Sequence, residues 1–172
     1  MAASPNVQNY SILKGIVWFK EDGDTAFRDC GNAPKMTYTP TVTVKEHFSQ
    51  REGINTKDFS AVTQVAAKID FALDEVTSFS VSIFFQGNVE TNTAGDTIIR
   101  ALSNTTRKGI LKIDGHNSVG AQVDWIGNVQ FTPTGGFDLI EAADNYSNIN
   151  IQADVLVDEN GDYGVVTYHS KV

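Results

Sequence analysis

Three histidines, one cysteine and a few carboxylate clusters are the residues here equipped for chemistry, and their spacing decides against most of it. His47 stands in a charged stretch, His116 beside a turn and His169 at the end of the last apolar run, so no helical His-x-x-x-His pair is available to a metal. Asp158, Asn160 and Asp162 mimic the first three ligands of a calcium loop. Tyr163 then stands where that loop needs Gly, and His169 where it needs Glu, so the segment reads as a hairpin turn. The neighbouring acids Glu21 and Asp22 fall in a turn, where solubility and turn chemistry account for them. A lone Cys30 excludes an intrachain disulfide and any multi-cysteine metal site. There is no Gly-x-Ser-x-Gly, no Gly-Lys-Ser/Thr phosphate loop and no Gly-x-Gly-x-x-Gly after a strand. No nucleophile with its base and orienting group can be assembled, so the expectation is a protein that is not an enzyme and has no cofactor or metal.

Structure, not chemistry, dominates the text. Residues 59–73 keep one parity apolar: Phe59, Ala61, Thr63, Val65, Ala67, Ile69, Phe71 and Leu73, with Ser60, Gln64, Lys68 and Asp70 between them. A period of two makes a strand with one buried face. At roughly 3.3 Å per residue this strand would span about 50 Å, far more than the usual strand of five or six residues. Such a strand outruns its own domain and invites a partner subunit. Residues 36–44 alternate as well, with Thr37, Thr39, Thr41 and Thr43 on one side and Pro40 on the other. Proline cannot donate a ladder bond, which marks an edge or bulged strand, and an edge can be completed by a neighbour.

With 172 residues and 41% apolar content the chain can bury one core. Thirteen basic against 21 acidic residues give a net charge of −8, which argues against a protein that grips phosphate backbones. No basic n-region precedes an apolar run and no window approaches a membrane span, so the chain reads as made soluble in a cytoplasm.

Residues 1–9 are small and polar and read as an N-terminal arm. Residues 10–172 read as one domain. An apolar run at 12–20 meets an Asp-Gly turn and returns as a short strand at 26–30. A charged loop is expected at 45–57 and a helix near 75–86, with Asp74 as N-cap and Gly87 just past its end. Residues 88–96 read as a polar loop. Further strands are expected around 110–113, 123–131, 149–157 and 164–169, the last two joined by an Asn160-Gly161 turn. The fold class is therefore mainly β, an antiparallel sandwich or barrel-like domain with one flanking α-helix and a long β-hairpin.

The ordered segments resemble the tail tube (major tail) proteins of long-tailed bacteriophages. The resemblance is carried by YSILKGIVWFKEDGDTAFRDCGNAPKMTYTPTVTVKEHFSQREG, by KDFSAVTQVAAKIDFALDEVTS and by KGILKIDGHNSVGAQVDWIGNVQFTPTGGFDLI. Residues 88–104 match nothing in it. It implies a structural virion protein of the phage tail, assembled in the host cytoplasm, whose hexameric rings stack into the conduit for genome delivery. Its implied partners are itself and the tape-measure, tail-tip and tail-terminator proteins, with DNA passing through without specific binding and no membrane insertion by this chain.

Under that resemblance, Thr37, Thr39, Thr41, Thr43, Ser60, Gln64, Lys68 and Asp70 are candidates for the lumen sheet. His47, Phe48, Ser49, Gln50, Arg51, Glu52, Gly53, Ile54 and Asn55 are candidates for an arm to a neighbouring subunit or ring, against the alternative of a solvated hairpin tip. Residues 1–9 and 170–172 are candidates for ordering upon assembly. The alternatives are the tube of a contractile injection machine, a capsid decoration or tail-end protein, and a free β-sandwich module holding carbohydrate with Trp18, Trp125 or Tyr163.

Overall fold

The computed structural model of the chain describes residues 10–51, 53–132, 134–140 and 147–169. Among the described residues the elements are β1 (Gly15–Glu21), β2 (Arg28–Asp29), β3 (Lys35–Ser49), β4 (Thr56–Leu73), α1 (Ser78–Phe84), β5 (Asn88–Thr91), β6 (Thr97–Arg100), β7 (Lys108–Gly115), β8 (Gln122–Thr132), β9 (Ile149–Leu156) and β10 (Val165–His169). One antiparallel sheet runs β2-β1-β7-β8-β9-β4-β3, with β10 also on β8, and β5 pairs only with β6. The expected mainly β, antiparallel architecture with a flanking helix is present. The expected N-terminal arm at 1–9 and residues 170–172, the other candidate for ordering upon assembly, lie outside the described residues.

Chain length forces this sheet to curl. Its end strands β2 and β3 are joined by residues 30–34 alone, a link that reaches at most about 21 Å. Seven strands laid flat at about 4.8 Å would hold those ends roughly 29 Å apart, so the sheet rolls its two ends toward each other. The link is fixed on both sides: Cys30 N–H donates to the Val17 carbonyl at 2.9 Å, and Asp74 N–H to the Asn32 carbonyl at 3.2 Å. The result is a sandwich-like domain without a closed barrel.

The concave face holds the core. Register aligns Phe19 with Leu111, Val129 with Val155, and Ala67 again with Val155, so their side chains share one side. Phe131 joins the two halves, its ring 4.8 Å from Phe19 and 6.5 Å from Phe71. Ile69, Leu73, Leu111, Val129, Ile149 and Ala153 are completely enclosed.

The helix is shorter than expected, and Thr77 caps it in place of Asp74. The Thr77 hydroxyl accepts from Ser80 N–H at 3.0 Å, while Ser80 Oγ accepts from Thr77 N–H at 2.9 Å, a reciprocal capping box. Asp74 is occupied elsewhere, accepting from the Asn32 amide at 2.7 Å. At the other end Gln86 takes φ 45°, and Gly87 N–H reaches the Ser82 carbonyl at 3.0 Å, a Schellman ending. Gly87 is needed for space: a Cβ there would lie 2.7 Å from the Arg100 carbonyl oxygen. The buried Arg107 ties this corner together, donating to Glu21 at 3.1 Å, Ser82 Oγ at 3.0 Å and the Gly87 carbonyl at 3.1 Å.

Three further expectations are corrected. Most of the loop expected at 45–57 is strand, since β3 continues to Ser49 and β4 begins at Thr56; cross-strand pairs such as Lys57 with Glu46 hold it extended. The polar loop expected at 88–96 is the β5–β6 hairpin, whose turn is tied by the Asn92 side chain accepting from Ala94 and Asp96 N–H at 2.9 Å. The turn after β9 makes no hairpin: β9 lies along the C-terminal half of β8 and β10 along its N-terminal half. Residues 157–164 are an excursion between two collinear strands, and Gly164 re-enters against Trp125, where a Cβ would meet the indole at 2.5 Å.

Candidate assembly surface

The longest strands leave the domain. Ala67 is the last β4 residue paired with both β3 (Pro40) and β9 (Val155); beyond it β3 and β4 have only each other. This ribbon runs for about 30 Å. β3 ends the sheet, the position in which the missing N–H of Pro40 is tolerated. Two tyrosines clasp its root: Tyr163 donates to the Val65 carbonyl at 2.9 Å, and Tyr38 to the Tyr163 carbonyl at 3.1 Å.

Two irregularities set its faces. Thr43 opposes Gln64 but Val44 opposes Val62, so Thr63 is an extra residue in β4, and a second extra residue, Asp58, follows where His47 opposes Phe59 and Phe48 opposes Lys57. A single extra residue exchanges the two faces of its strand. The fifteen-residue alternation therefore does not remain on one side. Val65, Ala67, Ile69, Phe71 and Leu73 continue the core face, whereas Phe59 and Ala61 cross to the other. The core face is prolonged instead by Val42 with Val65 and Val44 with Val62, which are 56, 46, 44 and 60% exposed.

Thr37, Thr39, Thr41 and Thr43 share the opposite face with Asp70, Lys68 and Gln64, as their register requires. Ser60 does not: it opposes Glu46 and lies with the valines. The polar face extends into β9 and β8, where Gln152 donates to Asp70 at 2.6 Å, Lys68 lies 3.8 Å from Asp154, and Thr132 donates to Asp154 at 2.9 Å.

At the far end, His47 Nδ1 and Asp58 Oδ1 are 2.6 Å apart. Phe48 and Ile54 are exposed, and Gly53 turns with φ 76°. Ser49, Gln50, Arg51 and Asn55 complete the described part of the expected arm, and Glu52 lies outside the described residues. A two-stranded ribbon is marginal by itself in water. This one presents an apolar face and two open edges, the properties of a surface that another chain covers. β10 adds a further open edge, with Val165, Val166 and Tyr168 exposed.

The groups equipped for chemistry are dispersed. Burial pushes the Cys30 thiol up to about 12, with Asp29 adding to the shift. His169 Nε2 lies 2.9 Å from Asp124, and His47 has a separate partner, Asp58. Asp124 also accepts from Gly115 N–H at 2.8 Å, and that backbone bond, ahead of Gln122 and His169, holds its carboxyl below the usual range. Asp158 accepts from the N–H groups of Asp162 and Asn160 at 2.9 and 2.8 Å, which lowers its pKa and ties the turn. Among the described residues no three His, Cys, Asp or Glu side chains gather as a metal set, and no helix is long and apolar enough to cross a membrane.

No curated protein sequence matches the chain. Among solved structures it is similar to a chain of the "Tail of empty GTA particle computed with helical refinement, C6 symmetry", at 11% identity and a TM-score of 0.48, over 90% of this chain and 95% of that one. Residues 10–119, more than half of the chain, match the family described as "Protein of unknown function UCP028589", and the chain belongs to that family.

Proposed function

We propose that this chain is a structural protein of a phage-type tail, a tube subunit that closes into hexameric rings and stacks them into a conduit for DNA. The observation that carries the reading is the β3–β4 ribbon, which projects about 30 Å with an exposed valine face and open edges. A second copy of the chain is a fitting cover, because a head-to-tail contact uses two different surfaces and repeats around a ring. The ordered segments of the sequence that resemble tail tube proteins support the same reading.

In the assembled tube, the face carrying Thr37, Thr39, Thr41, Thr43, Gln64, Lys68 and Asp70 lines the lumen. Phe59 and Ala61 continue that side in place of Ser60. Lys68 sits there with Asp70 and Asp154, so the patch carries no excess of positive charge to retain a phosphate backbone. The ribbon end, with His47, Phe48 and Ile54, reaches a neighbouring subunit or ring. Tape-measure, tail-tip and tail-terminator proteins are the further partners, and the virion is the final location.

For the carbohydrate alternative, Trp125 is buried beneath Tyr38, with ring centroids 6.0 Å apart, and the Tyr163 hydroxyl is committed to Val65. The test is to express the chain and compare dilute and concentrated samples by sedimentation velocity and negative-stain electron microscopy. Rings or hollow tubes of uniform width are expected. A strict monomer that also fails to add to a purified tail tip overturns the proposal. Deleting residues 49–53 is expected to block assembly, and normal tubes from that variant would remove the arm from it.

A further inference from the structure

We propose that the loop after β8 plugs an apolar cavity of the next copy, with Leu139 and Ile140 entering it and Asp138 meeting a lysine pair at its mouth. The proposal deepens the tube reading by naming a contact between stacked subunits, and it rests on that reading.

The plug is conspicuous. Leu139 and Ile140 are 77 and 94% exposed, adjacent, and flanked by the exposed Asp138. Their loop is anchored, since the Phe137 ring lies 5.8 Å from Phe84 and 6.3 Å from Phe85 at the end of α1. An anchored loop that holds two large aliphatic side chains in water presents them to something.

The socket is at the other end of the domain. A cavity of about 370 Å³ opens between the rolled-together ends of the sheet, walled by Val17, Ile69, Trp125 and Val166, a volume within the range of pockets that take apolar groups. Lys14 and Lys35 stand at it, and among the described residues neither is in an ion pair with an acidic side chain. From Trp125 at the cavity to Thr132, β8 runs about 23 Å. Phe137 is held near the Thr132 end by Phe84 and Phe85, so Ile140, three residues on, reaches at most about 11 Å from that anchor and cannot fill its own cavity. Plug and socket on opposite ends make a heterologous contact that propagates in one direction. The ribbon leaves the domain at the cavity end, beyond Tyr38 and Ile69, and would flank the incoming loop. Acid on the plug and base at the socket fix which ends meet. Residues 1–9 and 170–172 offer no adjacent pair of large aliphatic side chains to compete for the site.

The probe is a synthetic peptide of residues 135–141, titrated into the full chain carrying Leu139→Ser and Ile140→Ser. Binding is followed calorimetrically and by tryptophan fluorescence, which Trp125 in the cavity wall reports. Saturable binding is expected, weakened at least about tenfold when the peptide carries the same two serines, because two buried aliphatic side chains are lost. Lys14→Glu with Lys35→Glu in the protein should weaken it similarly, and a peptide with Asp138→Lys should recover affinity for that variant. The absence of saturation at millimolar peptide, or displacement by a peptide of residues 1–9, overturns the proposal. Peptide binding by a wild-type chain that never assembles keeps the contact and removes the tube; tubes unchanged by Leu139→Ser with Ile140→Ser keep the tube and remove the contact.

Discussion

Replacing Arg107 by Met should destabilise the fold far more than its place between two strands suggests. The guanidinium is 6% exposed and feeds three acceptors on separate elements: Glu21 at the end of β1, Ser82 in α1 and the carbonyl of Gly87 beyond the helix. Methionine keeps the length of the stem and removes every donor. Ser82 keeps its bond to the Phe79 carbonyl at 2.8 Å, so it loses little. The Gly87 carbonyl is left without that donor, at roughly 1–3 kcal/mol. Breaking a fully buried ion pair would add about 3–5 kcal/mol, but the Glu21 side chain is 28% exposed and keeps the Asn104 amide at 3.2 Å, which reduces its share toward about 1 kcal/mol. The sum is about 2–4 kcal/mol. In urea denaturation, with a slope near 2 kcal/mol/M, the midpoint should fall by about 1–2 M. Glu21→Gln in the same background should cost less than it does in the wild type, because the pair it breaks is already gone. A midpoint within about 0.3 M of wild type, or strictly additive variants, would refute the argument that this residue pins the helix to the sheet.

Gly109→Ala places a Cβ 2.1 Å from the Lys20 carbonyl oxygen and 2.9 Å from the Glu21 Cα, backbone atoms that can yield only if β1 and β7 separate; calorimetry should show a melting temperature lower by about 4 °C or more. Asp124 has a folded pKa below its ordinary 3.8, so the stability it contributes is present above that value and is lost as pH falls through the folded pKa. The urea midpoints of wild type and Asp124→Asn should therefore differ most above about pH 5 and draw together only as pH falls below 3.8 and through the folded pKa, and a gap independent of pH would exclude this linkage. Val44→Lys with Val62→Lys alters two exposed positions on one ribbon face and should leave monomer melting unchanged while abolishing assembly in sedimentation velocity; intact tubes would show that the valine face is not an interface.

The alternating segments in the second half were legible because burial on one face leaves a period of two: Trp125, Val129 and Phe131 are buried as their parity requires, as are Ile149, Ile151, Ala153 and Val155. The helix was legible in position and less so in extent. Asp74 and Thr77 are equally acceptable N-caps by type, and a hydrogen bond from Asn32, 42 residues earlier, removes the first. The valine face could not be found from parity, because Thr63 and Asp58 are ordinary strand residues whose bulges show only in the opposing register. The stretch at 45–57 looked like a loop because its charges were counted without their partners, Glu46 with Lys57 and His47 with Asp58. Arg107 and the Leu139–Ile140 pair carry no local signal, one being surrounded by distant elements and the other exposed where its composition suggests burial.

By itself the sequence determined the class of the fold, its dominant antiparallel strands and the edge character of the Pro40 strand, since all of these follow from local pattern and composition. Only the tertiary structure decided which faces look outward. A one-residue bulge reverses every side chain beyond it, and a five-residue link between the first and last strands of the sheet curls it around a cavity. Both depend on which residues oppose each other across strands, a relation that no single segment contains.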